Sequence, residues 1–371
     1  MDIEKLKENL LVITEPRRTE RGNIRHKLVD ILVIGLCTII CNGEDYTDME
    51  EFGHARIDWL RKFLELPNGI PDSDTFRRVF ERVNPKELSK CLYEWLGAER
   101  EKRGVVAIDG KTICGSGNKE HKAYHVVSAF VAENQITLGE ITVPEKKNEI
   151  TAVPELLDII DVEGTIVTAD AMSCQKEITK KITAKKADYV IGLKENQPQL
   201  YQDSKLYFDS FCRELPQYET TEKGHGRFEK RTYCLLTGDV SGFHPWEYEW
   251  KTWANLNGIG MVHTRVEEKD EIREENRYYI TSLTDVEKFA YAARKHWSIE
   301  NQLHWNLDVI FHEDASRVRK DNAPLNMNIL RKTALALVNQ AKPPKTSKKR
   351  FMFRTSLTPQ FLLDILFPKP N

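Results

Sequence analysis

The chain has 371 residues, of which 40% are hydrophobic and 30% are charged, and its formal net charge is −2. This composition is ordinary for a globular protein with room for two or three domains, and the net charge creates no overall field that attracts nucleic acid. Positive charge is concentrated locally instead. Residues 17–27 hold five Lys or Arg against one Glu, and residues 342–354 hold six and no acid. Such runs are typical both of solvated surface and of contacts to phosphate.

The cysteines and the apolar runs indicate the compartment. The seven cysteines include no CxxC pair, and the nearest two, Cys37 and Cys41, are one helical turn apart. This spacing argues against a zinc ribbon or a disulfide scaffold and favours a reducing compartment. The most apolar run, from Ile31 to Cys41, is 11 residues long and too short to span a membrane. We expect a soluble, cytoplasmic protein.

Residues 1–100 predict a helical N-terminal domain. Apolar spacing indicates helices over 26–41 and 48–66, and Ser73 is a candidate cap for a third helix. Pro85 suits the first turn of a fourth helix. No strand pattern interrupts this region, and we expect it to bind DNA.

Residues 101–340 follow a different pattern, beginning with the apolar run Val105 to Ile108, which is typical of a strand buried on both faces. Further strands are predicted at 124–132, 136–143, 165–169 and 189–193, and helices at 152–160 and 175–186. This order predicts an α/β fold with a mixed sheet flanked by helices.

Residues 201–283 interrupt that alternation and predict a β-rich insertion. Its candidate strands are 233–236, 247–253, 258–265 and 277–283. After it come a helix that carries Glu300, a helix over 325–340, and a C-terminal segment, 341–371, made of a basic linker and a short helix.

The helix after the insertion carries a carboxylate on an otherwise mostly apolar face. Thr284 and Glu287 are spaced as a capping box at its start. One face is formed by Ala293, Trp297, Glu300, His304 and Leu307. A carboxylate there is costly unless its charge is compensated. Glu300 is therefore either paired with Arg294 or His296, or it is a metal ligand.

Two aspartates elsewhere in the chain favour the interpretation of Glu300 as a metal ligand. Asp109 and Asp170 each follow a buried strand, and the carboxyl ends of such strands form the edge where open α/β sheets bind ligands. A single aspartate at a strand end is typical of a turn or a cap. Two side by side would repel unless a cation lay between them, and oxygen ligands suit Mg²⁺ or Mn²⁺. With Glu300 they predict two such ions and an in-line phosphoryl displacement.

Several stretches resemble a known family. They are VAIDGK at 106–111, TADAM at 168–172, GLKENQ at 192–197, GHGRFEKR at 224–231, RKHWSIENQLHWNLDVIFHED at 294–314, RHKLVDIL at 25–32 and IPDSDTFRRVF at 70–80. The chain resembles the DDE insertion-sequence transposases, in the branch of the H-repeat-associated proteins of Rhs elements.

The resemblance implies an RNase H-like core in which Asp109, Asp170 and Glu300 bind two Mg²⁺ or Mn²⁺ ions. It implies an enzyme that cuts the DNA ends of its element and transfers the 3′-OH to target DNA, acting as at least a homodimer. Two alternatives stay open: a catalytically silent relative that binds DNA, and a nuclease without a joining step. No P-loop or GxSxG motif is present.

The sequence departs from the wider family near Glu300. Many related transposases have a basic residue seven positions after the glutamate, and Tyr and Arg seven and four positions before it. Here these positions are Leu307, Ala293 and His296. The sequence therefore leaves open which basic residues contact DNA. The candidates are Lys194, Arg294 and Arg319.

The stretch GHGRFEKR also has two interpretations. As a strand it places His225, Arg227, Glu229 and Arg231 on one face. These side chains either form an ion-paired structural strand or present Arg227 and Arg231 to phosphates.

Three further residues near Glu300 are candidate ligands. Asp308 and Asp314 are candidates for accessory ligands or for exposed acids, and His304 with Asp308 is spaced to chelate zinc.

Overall fold

The computed structural model describes residues 3–22, 24–97, 104–118, 121–144, 149–224, 226–238, 251–269 and 271–367. Its N-terminal region is helical, as predicted. The helices are α1 (Ile3–Leu11), α2 (Leu28–Ile40), α3 (Tyr46–Ala55), α4 (Ile57–Leu60), α5 (Ser73–Arg82) and α6 (Pro85–Gly97).

Local sequence explains where these helices begin and end. Pro85 opens α6 as predicted, but the cap of α5 is Asp72, whose side chain accepts a hydrogen bond from the backbone N–H of Thr75, and not Ser73. The single helix predicted over 48–66 is wrong. It is divided into α3 and α4 because the chain leaves helical geometry at Arg56, where φ is −122°.

The centre of the protein is a mixed sheet of nine strands flanked by helices, which confirms the predicted fold class. The strand order is β3-β2-β1-β4-β5-β9-β8-β7-β6. Strands β1, β4 and β5 run parallel, and β2 and β3 form the predicted antiparallel hairpin. The first five strands are β1 (Val105–Thr112), β2 (His125–Val131), β3 (Ile136–Val143), β4 (Ile166–Ala169) and β5 (Asp188–Leu193).

The insertion continues this same sheet. Its antiparallel strands are β6 (Gln217–Gly224), β7 (Arg227–Thr237), β8 (Gly258–Glu268) and β9 (Glu271–Thr281), and they join the sheet through β9 beside β5. Strand β6 was not predicted. Of the strand predicted at 247–253, residues 247–250 lie outside the described residues, and Lys251 and Thr252 are helical.

One disulfide joins the start of the insertion to β7. Cys212 and Cys234 are bonded, with their Cα atoms 6.3 Å apart. It is an exception to the expectation that the cysteines form no disulfide scaffold. The free cysteines are Cys37, Cys41, Cys91, Cys114 and Cys174.

Eight further helices follow strand β3 among the described residues. They are α7 (Glu149–Ile159), α8 (Lys176–Ala184), α9 (Pro198–Phe211), α10 (Val286–His296), α11 (Trp305–Val309), α12 (Ala323–Ala341), α13 (Lys348–Leu357) and α14 (Pro359–Leu366). Part of the segment predicted as a basic linker is therefore helix α13. Within the described residues, no helix is long and apolar enough to cross a membrane.

The N-terminal helices share one hydrophobic core with the C-terminal part of the chain. Helix α12 is buried from Ala323 to Val338, and it packs against α2, α5 and α6. A buried polar contact joins the same parts, since Tyr93 Oη donates to Glu140 at 3.0 Å and Lys332 Nζ lies 2.6 Å from the same carboxylate. The division of the chain into domains at residues 100 and 340 stays a prediction.

Candidate active site

The sheet brings the two predicted aspartates to neighbouring positions. In the parallel pair β1–β4, Ile108 is opposite Ala169, and this is the last pair in the register. Asp109 and Asp170 are the next residue on each strand. Strand β1 continues to Thr112 by pairing with β2 alone, so Asp109 lies within β1 and Asp170 follows the end of β4. Both carboxyl groups therefore start from the same edge of the parallel core.

Helix α10 and the turn after it carry Glu300. The cap of α10 is Asp285, whose side chain accepts from the N–H groups of Glu287 and Lys288, so the predicted cap Thr284 is wrong by one residue. After α10 the chain forms a π-helix, Ile299–His304. The wider turn of a π-helix changes which side chains share a face.

The π-helix corrects the predicted apolar face. Ala293, His304 and Leu307 are buried, but Trp297 is 37% exposed and the Glu300 side chain is 53% exposed. Glu300 is therefore not a buried carboxylate in an apolar stripe. It lies at the surface of the site, with the buried His304 beneath it.

Three side chains converge at this point. Nδ1 of His304 lies 3.5 Å from Oε2 of Glu300 and 3.7 Å from Oδ2 of Asp109. One ligand atom from each of Asp109, Glu300 and His304 lies within 4.8 Å of the others. Sequence reasoning placed His304 on the correct face but did not identify it as a neighbour of the two carboxylates. The i, i+4 spacing of Glu300 and His304 is the signal that could have shown this.

The pKa values of Asp109 and Glu300 are shifted in opposite directions by their surroundings. Burial raises the pKa of Asp109, and the negative charges of Glu300 and Asp170 raise it further. A hydrogen bond from His304 holds the pKa of Glu300 below its usual range. The two carboxyl groups thus oppose each other's ionisation, and Asp109, the more buried of the two, is the one whose pKa is raised.

Neither alternative partner neutralises Glu300. Arg294 donates to both carboxylate oxygens of Glu222, at 3.1 and 3.0 Å. His296 is hydrogen-bonded through Nδ1 to Thr168 Oγ1 at 3.1 Å, and burial lowers its pKa to about 4. The predicted ion pair between Glu300 and Arg294 is therefore wrong, because Arg294 is paired with Glu222. His296 cannot neutralise Glu300 near pH 7 either, because its imidazole is uncharged there.

The predicted accessory ligands belong to a separate cluster. Nζ of Lys111 lies 2.7 Å from Asp308 and 3.7 Å from both Glu313 and Asp314. Asp308 is thus paired with a lysine, and His304 faces Asp109 and Glu300. The hypothesis that His304 and Asp308 chelate zinc together is wrong.

Asp170 opens onto a cleft of about 690 Å³ between β5, β9 and the end of α10. Its lining includes Lys194, Asn196, His296 and Trp297. Asn196 donates to the backbone carbonyl of Ala171 at 2.7 Å, which fixes the loop after β5 against the loop after β4. Lys194, a predicted DNA contact, is exposed in this cleft, beside the acidic edge.

The predicted arginines of the insertion are paired with glutamates. Arg227 contacts Glu229 at 2.8 Å, and Arg231 contacts both Glu229 and, at 3.1 Å, Glu222. Arg294 shares Glu222, and these arginines line a second cleft of about 370 Å³. His225 lies outside the described residues.

Arg319 lines neither of these two clefts. Its Nε donates to the backbone carbonyl of Gly115 at 3.0 Å, and its residue is exposed. The five predicted DNA contacts therefore occupy three different surfaces.

The donor set at the edge fits a divalent cation. Carboxylates and an imidazole are common ligands of Mg²⁺, Mn²⁺ and related ions. Asp109 and Glu300 repel each other when both are ionised, and Nε2 of the buried His304 has no hydrogen-bond partner among the described residues. A cation would relieve the repulsion and would have these donors available to it.

A mixed sheet whose parallel central strands end in acidic residues, flanked by helices, is an RNase H-like fold. A second, more specific identification comes from comparison with known proteins. The transposase DDE domain matches residues 100–337, and the domain described as DDE_Tnp_1-associated matches residues 7–96. The chain belongs to the DDE transposase family, which confirms the resemblance seen in its motifs.

The relatives include bacterial proteins of nearly the same length. The chain is 37% identical to "Putative transposase YncI" of Escherichia coli O157:H7, over 99% of this chain and 95% of that protein. It is 35% identical to "H repeat-associated putative transposase YhhI" of Escherichia coli K12, over 99% of this chain and 98% of that protein.

Proposed function

We propose that this protein is a DNA transposase that cleaves the ends of its own element and transfers the freed 3′-OH to target DNA. Membership of the DDE transposase family supports a DNA substrate. The observation that carries the proposal is the convergence of Asp109 and Glu300, with Asp170 at the adjacent strand end, on one edge of the sheet.

In this proposal Asp109, Asp170 and Glu300 hold Mg²⁺ or Mn²⁺, with two ions as the expected number. A bound ion supplies positive charge against the scissile phosphate and lowers the pKa of an attacking water or hydroxyl group. His304 is a positioning residue: its contact with Glu300 at 3.5 Å fixes an otherwise half-exposed side chain toward Asp109. Asp170 opens onto the cleft in which Lys194 offers positive charge to the DNA backbone.

The first step is the hydrolysis of a phosphodiester and the second is a transesterification. In the first, water attacks the phosphorus, the P–O3′ bond breaks, and the strand is left with a free 3′-OH. In the second, that hydroxyl attacks a phosphorus of the target DNA, a new P–O3′ bond forms, and the displaced 3′-oxygen takes up a proton. The number of phosphodiester bonds is unchanged in the second step, so no nucleotide cofactor is required. Pairing two element ends requires two active sites, and we propose a homodimer on DNA.

The experiment is a cleavage assay on a plasmid that carries the gene and its native flanking DNA, with Mg²⁺ or Mn²⁺. Wild type is compared with Asp109→Ala and with Asp203→Ala, a matched variant of an exposed aspartate on α9 that is hydrogen-bonded to Gln199. We expect metal-dependent cuts at the element boundaries for wild type and Asp203→Ala alone.

Other results would change the conclusion. Binding to the boundaries without metal-dependent cleavage would support the catalytically silent alternative. Cleavage without joined products would support a nuclease. Cleavage that persists in Asp109→Ala would place the active site elsewhere.

A further inference from the structure

A basic cleft lies in the N-terminal helical region, away from the residues assigned to catalysis. It has a volume of about 770 Å³ and opens between helix α5 and the segment 16–26 that precedes α2. We call it the arginine cleft. Its lining includes Arg17, Arg18, Arg25, His26, Asp72, Arg78 and Arg82. Five arginines thus face one carboxylate among the described residues of the lining.

Helix α5 forms one wall. Its Phe76, Val79 and Phe80 are fully buried in the core, which orients the helix. Arg78 and Arg82 are exposed and four residues apart, so they lie on the same face. Asp74 is 3.4 Å from Arg78, but both side chains are more than half exposed, and such a pair contributes little. The wall therefore presents two available guanidinium groups.

The segment 16–26 forms the opposite wall. Arg17 is neutralised by Glu15, at 2.7 Å. Arg18 and Arg25 are exposed, and no ion pair of either one is found within the described part of the chain. Asn68 donates to the backbone carbonyl of Arg25 at 2.6 Å, which ties this segment to the loop after α4. Both walls are thus anchored, and among the five arginines Arg18, Arg25 and Arg82 have no ion pair within the described part of the chain.

Such an arrangement has an electrostatic cost that a polyanion removes. Like charges in one cleft raise the energy of the folded protein, and guanidinium groups match phosphate oxygens in pairs of hydrogen bonds. Duplex DNA presents one phosphate charge per about 1.7 Å of its axis, so a cleft with several arginines meets several phosphates at once. The overall net charge of −2 makes this positive region a local feature of the surface.

We propose that the arginine cleft binds the phosphodiester backbone of duplex DNA and is a sequence-independent grip of the N-terminal region. This inference rests on the proposed function, because it assigns a DNA-contacting surface to a protein that acts on DNA. It also differs from the DNA contacts predicted from the motifs, since none of Lys194, Arg227, Arg231, Arg294 and Arg319 lines this cleft.

The test is fluorescence anisotropy of the full chain with a labelled duplex of about 30 base pairs and unrelated sequence, in EDTA, across about 50 to 200 mM NaCl. The test variant is Arg78→Ala/Arg82→Ala. The matched control is Arg61→Ala/Lys62→Ala, which removes the same charge from exposed residues of the same region. We expect the test variant to bind at least tenfold more weakly and its slope of log K against log salt to fall by about 2, while the control stays within about twofold of wild type.

Arg78→Lys/Arg82→Lys keeps the charge and controls for folding, and we expect it to keep the salt slope of wild type. Equal weakening in the test and control variants would overturn the inference and leave the proposed function intact. Absence of any duplex binding by wild type would also overturn the inference, and cleavage at the native element ends would still decide the proposed function. Tighter binding of labelled polyglutamate than of DNA, lost in the test variant, would assign the cleft to acidic polypeptides and overturn the DNA assignment.

Discussion

Two regions of the same sheet differ in how their charged side chains are arranged. In the β-rich insertion, Arg231 contacts Glu229 and Glu222, so these charges have partners of opposite sign. At the edge of the parallel strands, carboxylate oxygens of Asp109 and Glu300 lie within 4.8 Å of each other, and the charge of Glu300 raises the pKa of Asp109. Paired charges stabilise a long, exposed pair of strands at modest cost, whereas unpaired like charges destabilise the fold. Our proposal explains the second arrangement by the binding of a cation between the two carboxylates.

The largest effect is expected from a substitution at the acidic edge, measured as the rate of DNA cleavage. Asp109→Asn removes a cation ligand and also removes the repulsion from Glu300 and Asp170. We expect metal-dependent DNA cleavage to fall by at least about 10³-fold, which is the loss typical for a group that stabilises transition-state charge. We expect the metal-free variant to melt no lower than wild type, and Mg²⁺ to raise the melting temperature of wild type but not of the variant. Asp203→Asn is the control. A lower melting temperature without metal would contradict the account of the repulsion.

A buried ion pair on the strands next to Asp109 offers a contrast, because Lys332 is bonded both to Glu140 and to Ser128, the residue opposite Asp109 in the sheet. Lys332 and Glu140 have side chains 3% and 7% exposed. Lys332→Met leaves the Glu140 carboxylate buried without its cation, and we expect a loss of about 3–5 kcal/mol in the free energy of unfolding. Urea unfolding measures it. The comparison variant is Arg273→Ala, which breaks a fully exposed pair with Glu271 and should leave the midpoint unchanged.

The pH dependence of the free energy of unfolding tests whether the His296 side chain is shielded from water in the folded protein. Burial lowers the pKa of His296 to about 4 in the folded protein, against 6.5 for an ordinary histidine. The unfolded chain therefore binds the proton more readily between these values, and this contribution to stability is complete above about pH 6.5 and is lost as the pH falls toward 4.

We expect His296→Asn to be less sensitive to acid than wild type by up to about 3 kcal/mol, from thermal or urea unfolding between pH 7 and about pH 4. His54→Asn, an exposed histidine of α3, is the control. Parallel pH profiles of wild type and His296→Asn would show that His296 is solvated in the folded protein.

The smallest expected effect concerns an arginine that is already paired. Arg227 is held by Glu229 at 2.8 Å. We expect Arg227→Ala to weaken duplex binding by less than about threefold, with a salt slope close to that of wild type. The anisotropy assay measures it beside Arg78→Ala/Arg82→Ala. A loss as large as that of the double variant would show that Arg227 exchanges Glu229 for phosphate when DNA binds.

Sequence patterns were sufficient for much of this protein. The continuous apolar run at Val105 predicted a buried strand, and equivalent strand ends predicted that Asp109 and Asp170 are neighbours. Both inferences depend on short-range periodicity and on the regular geometry of parallel strands. The β-rich character of residues 201–283 was also predictable, because alternating strands carry a local signal.

What sequence missed depends on long-range contacts or on irregular backbone. The π-helix at Ile299–His304 has no signal in a search for 3.6-residue periodicity, and it changes the environment of Glu300. The pairing of Arg231 with Glu222 joins residues on neighbouring strands whose register is fixed by the whole sheet. The cap at Asp285 instead of Thr284 shows how far the end of a helix shifts when two capping residues are adjacent.

The shared core of the N-terminal helices and helix α12 has a geometric consequence. Residues from α2, α5 and α6 pack on the same buried helix that lies beside the catalytic sheet, and Tyr93 is tied to Glu140 on β3. We infer that DNA bound in the arginine cleft, as proposed above, would lie at a distance and angle from Asp109 that this shared core fixes. In this proposal the fold itself would set the number of base pairs between the bound backbone and the phosphate that is cut.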